Sequence, residues 1–306
     1  MAQRRSGASF TTDDHMEPTM SDLVCNPLHD DFGASVTGID LGSPLESAQV
    51  AAVKRAIDRF SFLVFPNQDM DDPRQLAFTR YLGEPEVEHV RFGQQGVVDY
   101  FGTIGNIDEN GNQQGNDHAV TKYVRGNEMW HSDSSFRENP TYVTITCAYE
   151  VPDKGGTTEF VSGRAAYGRL AASEKAKLDP LATIHDYVFS RSKVAEVTAS
   201  HAASLPPVEQ RLVRTNPATG DKNLYLGSHA REVVGWSVEE SRTLLDDLLE
   251  RTTRPEDILS HRWRSGDLVI WDNRCLLHRG RPYDADRYRR RMRQTRVCGT
   301  GPTLEE

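Results

Sequence analysis

The stretch Met129-Trp130-His131-Ser132-Asp133-Ser134-Ser135-Phe136 organises the reading of the whole chain. On an extended segment side chains alternate with period 2, so His131 and Asp133 point to the same side. An imidazole and a carboxylate converging on one point make two-thirds of a facial metal site. Taken alone the pattern is weak, because such tripeptides are common. Its weight depends on what the rest of the chain supplies.

Working outward, Thr141 to Tyr149 is a long β-branched run that reads as a strand. Gly155-Gly156 predicts a turn into Thr157–Val161, a hairpin partner for that strand. Gly266 to Asn273 reads as another strand, leading through Arg274-Cys275-Leu276-Leu277 to His278 and a polar turn around Pro282. Tyr288 to Val297 alternates as a final strand. Upstream, Val36 to Leu41 predicts a strand. Ser43-Pro44 opens a helix through about Phe60, with Val50, Val53, Ile57 and Phe60 as its apolar stripe. Phe62-Leu63-Val64-Phe65 is a fully apolar run stopped by Pro66, the mark of a buried strand. Asp72-Pro73 starts a second helix that ends at Gly83. Two more helices are expected near 163–178 and 237–252, the latter with a Ser237/Glu240 capping box and a Leu244, Leu245, Leu248, Leu249 face.

From Gly83 to Asn127 the chain is rich in glycine and asparagine. So long an irregular segment is either a binding loop or lid, or an ordinary insertion. No βαβ rhythm and no GxGxxG loop is present, which argues against a doubly wound sheet. The expected fold is mainly β with flanking helices, a jelly roll. Residues 1–21 read as a disordered extension, 22–298 as one domain and 299–306 as a tail.

Composition narrows the partners. The 306 residues are 37% hydrophobic and 26% charged, with net charge −9, which argues against bulk nucleic-acid binding. No run approaches the roughly 20 apolar residues that span a bilayer, and the first residues lack the apolar core of a secretory signal. Four scattered cysteines without a CxxC pair suit unpaired thiols in a reducing compartment. A soluble cytoplasmic protein with a small-molecule partner, no nucleic acid and no membrane is expected, with homo-oligomerisation left open.

Two imidazoles and one carboxylate leave three positions open on an octahedral ion, the pattern of non-haem Fe(II) oxygenases. Most other histidines sit in polar company and read as surface or hydrogen-bonding residues. His278 differs, lying just past an apolar strand. The arginine-rich run Tyr288 to Arg296 has a bland reading, a solvated charged edge. Period 2 nevertheless puts Arg289, Arg291 and Arg293 on one face, and arginine in a barrel mouth suits a bidentate anion. A co-substrate that chelates iron at one end and carries an anion at the other is implied; 2-oxoglutarate is such a molecule.

The chain resembles the taurine dioxygenase / 2,4-dichlorophenoxyacetate dioxygenase family of Fe(II)- and 2-oxoglutarate-dependent enzymes. WHSDSSF at 130–136, GGTTEF at 155–160 and GDLVIWDNRCLLHRGRPYD at 266–284 carry the similarity, which runs from Asn26 to about Thr295. The resemblance implies a double-stranded β-helix (jelly roll) with His131, Asp133 and His278 as iron ligands. It makes Thr158 and Arg289 the holders of the distal carboxylate of 2-oxoglutarate, and Arg293 the grip on an acidic primary substrate. Asn127 and, across a variable loop, His89 match substrate-contacting positions. Arg291 departs from the family pattern: it adds an anion contact or marks a register slip by one. The implied reaction is hydroxylation driven by O2 and oxidative decarboxylation of 2-oxoglutarate, with Asp133 favouring hydroxylation over halogenation. An aryloxyalkanoate-like acid is the first substrate class, before a taurine-like sulfonate or a secondary metabolite or amino acid. Outside the class, a zinc hydrolase would use the same triad but would not need Thr158 and Arg289.

Overall fold

A computed structural model describes residues 23–88 and 100–306. Its first half comprises β1 (Val24–Pro27), β2 (Ala34–Thr37), α1 (Ser47–Phe60), β3 (Phe62–Phe65), α2 (Asp72–Leu82), β4 (Gly102–Gly105), α3 (Ala119–Val124) and β5 (Thr141–Glu150). There follow β6 (Thr158–Ser162), α4 (Gly163–Arg169), α5 (Ala172–Leu178), β7 (Ala182–His185), α6 (Tyr187–Arg191), α7 (Ala199–Ser204), β8 (Val208–Arg211), β9 (Val213–Thr215) and β10 (Lys222–Leu224). The chain closes with β11 (Ala230–Val233), α8 (Val238–Thr252), β12 (Leu259–His261), β13 (Leu268–Asp272), β14 (Leu276–Gly280) and β15 (Arg291–Cys298).

Apolar runs without alternation demand cover on both faces, and the architecture supplies it. β3 and β13 lie inside a seven-stranded sheet of order β1-β2-β3-β13-β5-β15-β4. On one face Val53, Ile57, Phe78 and Leu82 of α1 and α2 pack against Ile145, Cys147, Leu268 and Ile270. On the other, Phe62, Val64, Val269, Trp271 and Met292 meet Phe160 and Leu276 of a second sheet, β12-β6-β14. That sheet is covered in turn by α4 and α8 through Ala166, Tyr167, Leu245 and Leu248. Two sheets between helical covers make the expected jelly roll. Each large apolar side chain buried here contributes roughly 1.5–3 kcal/mol relative to exposure.

Several local expectations change. The first helix begins at Ser47, because Asp40 ties the preceding turn through Gly42 N–H and the Ser43 hydroxyl. The early strand is Ala34–Thr37, not Val36–Leu41. Helix 163–178 divides at Leu170-Ala171. β6 is not the hairpin partner of β5: it pairs with β12 and β14, while β5 pairs with β13 and β15. The Gly155-Gly156 turn therefore crosses between sheets. The loop 84–127 contributes an edge strand, β4 on β15, and the short helix α3. Residues 299–306 dock rather than trail, with the Thr303 hydroxyl donating to Gln210 and Glu306 paired with buried Arg214. The expected extension 1–21 lies outside the described residues.

Candidate metal centre and adjoining cavities

His131 enters the site through a single antiparallel bridge to His278 on β14. His131 N–H donates to His278 O at 3.0 Å, and His278 N–H donates to His131 O at 2.8 Å. Two histidines far apart in sequence thus become neighbours, their ring centroids 4.2 Å apart. The extended segment expected through Asp133 does not continue. The chain turns at once, and Ser134 adopts a left-handed conformation (φ 50°) while its hydroxyl donates to Glu86 at 2.6 Å. The turn still aims Asp133 at the histidines, with its Oδ1 3.7 Å from each Nε2.

Ligand atoms of the three residues lie within 4.8 Å of one another. The Nδ1 of His131 is 2.8 Å from Met129 O, which assigns the proton to Nδ1 and leaves the Nε2 lone pair inward. Burial lowers both imidazole pKa values, that of His278 to about 3, so both are neutral and fit to bind metal. Burial pushes the Asp133 carboxyl upward, but His278, His131, Arg296 and the Thr144 hydroxyl hold it below the usual range. A closed ring of bonds fixes this carboxylate. Thr144 Oγ1 donates to Asp133 Oδ2 (2.6 Å), Asn273 Nδ2 donates to Thr144 (2.8 Å), and Asp133 N–H donates to Asn273 Oδ1 (3.0 Å). Two neutral imidazoles and one carboxylate fit Fe(II) with open positions.

Two cavities meet at this triad. The smaller, about 290 Å³, is lined by His278, Thr158, Trp263, Trp271, Tyr283 and Arg290. It holds several donors without partners among the described residues: Arg290 Nε, the Tyr283 hydroxyl, Trp271 Nε1 and His278 Nδ1. Thr158 Oγ1 accepts from Trp263 Nε1 at 2.9 Å and keeps its own proton to donate. Burial lowers the Arg290 pKa, and no carboxylate pairs with its guanidinium among the described residues. Such a chamber fits the anionic end of a keto acid.

Arg289 lies elsewhere. Half-exposed, it donates to Glu150 at 2.6 Å and lines neither cavity. The expected face is displaced by one residue, and the cause is visible in the ladder. β15 begins only at Arg291, with a bulge between Arg291 and Met292 opposite β5. Arg290, Met292 and Gln294 face the smaller cavity. Arg290 is pinned by Asn106, whose Oδ1 accepts its N–H (2.8 Å) and whose own N–H donates to Arg290 O (3.0 Å). Gly105 (φ 140°) allows this approach, since a Cβ there would lie 1.9 Å from Arg290 O. The signal in the sequence was Met292, the apolar residue that a core-facing strand surface requires.

The larger cavity, about 690 Å³, also reaches the triad, past Phe101, Tyr123, Asn127, Phe136, Tyr187, Arg191 and His229. Arg293 lines it but is already engaged. Its Nε and Nη2 donate to Asp72 (3.0 and 2.5 Å), Nη1 donates to Thr103 (2.7 Å), and the guanidinium lies over Phe101. Asn127 lines both cavities. His89 lies outside the described residues. Sequence reasoning assigns no site role to Arg191, Asn273 or Thr144, although Asn273 lies within the 266–284 motif and Thr144 on the strand Thr141–Tyr149.

A jelly roll carrying a His/Asp/His centre where two cavities meet is the arrangement of a metal-dependent oxygenase. The profile described as "Taurine catabolism dioxygenase TauD, TfdA family" matches residues 25–296, and the chain belongs to that family. It is 38% identical over 278 residues to the alpha-ketoglutarate-dependent 2,4-dichlorophenoxyacetate dioxygenase of Cupriavidus pinatubonensis, covering 89% of this chain and 97% of the relative. It is 34% identical to the (S)-phenoxypropionate/alpha-ketoglutarate-dioxygenase of Sphingobium herbicidovorans, covering 89% and 94%. Among solved structures, AAD-2 in complex with Mn(II) and N-oxalylglycine superposes with TM-score 0.85 at 37% identity, covering 93% of this chain and 99% of that one.

Proposed function

We propose that this protein is an Fe(II)- and 2-oxoglutarate-dependent dioxygenase that hydroxylates a small aryloxyalkanoate-like carboxylic acid. His131, Asp133 and His278 hold the metal. Arg290, rather than Arg289, holds the distal carboxylate of 2-oxoglutarate together with Thr158. The observation that carries this reading is the buried Arg290 guanidinium, uncompensated by any carboxylate among the described residues, in one chamber with Thr158 and the triad. A buried unpaired charge is costly, and an incoming carboxylate relieves it. The zinc hydrolase alternative has no use for such a chamber.

Bound Fe(II), 2-oxoglutarate and O2 supply the oxidative chemistry: one oxygen atom ends in succinate, the other in the hydroxylated substrate, and CO2 leaves. The chain's own residues bind and aim. Asn273 and Thr144 fix the Asp133 carboxylate, and the bond to Met129 O sets the His131 tautomer. Arg290 and Thr158 orient the keto acid in the smaller cavity, while the larger cavity presents the substrate C–H to the triad. Its Phe101, Phe136, Tyr123 and Tyr187 lining suits an aryl ring. Two relatives named for these acids support the same class. Free cysteines and the absence of any described helix able to cross a membrane agree with a cytoplasmic enzyme.

Anaerobic protein given Fe(II) and 2-oxoglutarate is expected to develop a weak visible metal-to-ligand band, lost in His278→Ala. On admitting air, phenoxyacetate should stimulate succinate release. Tight zinc binding with no such band, and no acid-stimulated succinate, would sink the proposal.

A further inference from the structure

The arginine expected to grip the substrate acid is occupied, so the larger cavity must be asked which cation remains. Among the described residues four arginines line it: Arg191, Arg291, Arg293 and Arg296. Arg293 is bound bidentately by Asp72. Arg296 is buried between Glu86 and Glu88, at 3.2 and 2.6 Å. Arg291 lies 3.5 Å from Glu150 and is half-exposed. At the level of Arg293, the strand face turned to the triad carries neutral Gln294, whose Oε1 accepts from Thr146.

Arg191, at the end of α6, is different. No carboxylate lies within ion-pair distance of it among the described residues, and its Nε is buried without a partner. Nη1 donates to Tyr123 O at 3.1 Å. The contacts of Nη1 and Nη2 with Asn127 Oδ1, 3.5 and 3.4 Å, are long for hydrogen bonds. The guanidinium lies over the rings of Tyr123 (4.7 Å) and Tyr187 (5.6 Å). It also occupies space that only a glycine at 126 leaves free: a Cβ there would lie 2.0 Å from Nη1. The fold therefore builds a socket around a positive charge, opens it to the cavity and, among the described residues, gives it no counter-ion.

We propose that Arg191 anchors the carboxylate of the primary substrate, with Asn127 and the Tyr123 and Tyr187 rings holding the guanidinium plane. The acid then enters with its carboxylate towards α6 and its reacting carbon towards His131 and Asp133. This rests on the dioxygenase reading above and adds the polarity of substrate binding.

The test is calorimetric titration of the anaerobic Fe(II)·2-oxoglutarate complex with phenoxyacetate and with uncharged phenoxyethanol. Arg191→Gln should weaken phenoxyacetate by about 30-fold or more, the loss expected when a charged hydrogen-bonding partner is removed. Arg191→Lys should recover part of it, and phenoxyethanol should bind all variants alike. Gly126→Ala, which displaces the guanidinium without removing it, should weaken the acid in the same sense. Arg293→Gln should change its affinity by less than about 3-fold. Loss with Arg293→Gln but not Arg191→Gln overturns the anchor, as does a wild type that binds 2-oxoglutarate yet does not prefer the acid to the alcohol. Failure to bind 2-oxoglutarate with Fe(II) at all instead overturns the function from which the inference starts.

Discussion

The two cavities share a metal triad but are made of different material. The smaller is walled by strands β6, β13, β14 and β15, whose ladders fix each side chain to a face. The larger shares part of that sheet, through Tyr149 of β5 and Arg291, Arg293, Gln294 and Arg296 of β15, but its remaining wall is the edge strand β4, the short helices α3 and α6, and irregular segments around them. A wall made of paired strands holds a constant co-substrate; a wall made of loops and single-turn helices can be re-cut for different acids while the sheet stays unchanged. On the assignment proposed above, the difference teaches where selectivity resides: the strand-built side would read the keto acid, and the helix-built side the substrate.

The contrast is most sharply tested at neighbouring arginines. Arg290→Gln should raise the KM for 2-oxoglutarate by about 100-fold, through loss of a charge-assisted bidentate pair. Arg289→Gln, altering only a half-exposed pair with Glu150, should leave that KM within about 3-fold. Succinate release against 2-oxoglutarate concentration reads both, and the reverse ranking would restore the original register. A smaller effect is expected where the cavities join. Asn273→Ala frees the Thr144 hydroxyl that steers Asp133. Fe(II) affinity should fall about 10-fold, with substrate preference unaltered. Smallest of all, Arg293→Gln should lower stability by less than about 1 kcal/mol in denaturant titration, since its pair with Asp72 is partly solvated. A large loss of acid binding in that variant would move the substrate anchor back to β15.

The same contrast explains what was legible in the sequence. Strand periodicity and apolar runs located Phe62–Phe65 and the β13 strand, because full burial leaves a compositional mark. The triad was legible because its residues stand in compact motifs on or beside those strands. Period 2 also separated the arginine run into two faces. It could not say which face was inward, since three consecutive arginines look alike from either side; Met292, wholly buried, carries that information. The hairpin expected between 141–149 and 157–161 failed for a related reason. A Gly-Gly turn permits reversal but does not choose between pairing in one sheet and crossing to the other. Arg191 was invisible because nothing local marks it: its role comes from Gly126, Asn127 and two tyrosines brought around it by folding.

The bridge between His131 and His278 has a consequence for the chain as a whole. One ligand pair comes from the middle of the polypeptide and the last ligand from near its end, so the site is assembled only after long-range β pairing is complete. Metal occupancy then acts as a removable cross-link on that closure. At a free ion concentration 100 times its Kd it adds about 2.7 kcal/mol to the folded state. Supply of the ion thus bears on the stability of the fold as well as on its chemistry, because the ion joins the two distant segments of the chain that this bridge brings together.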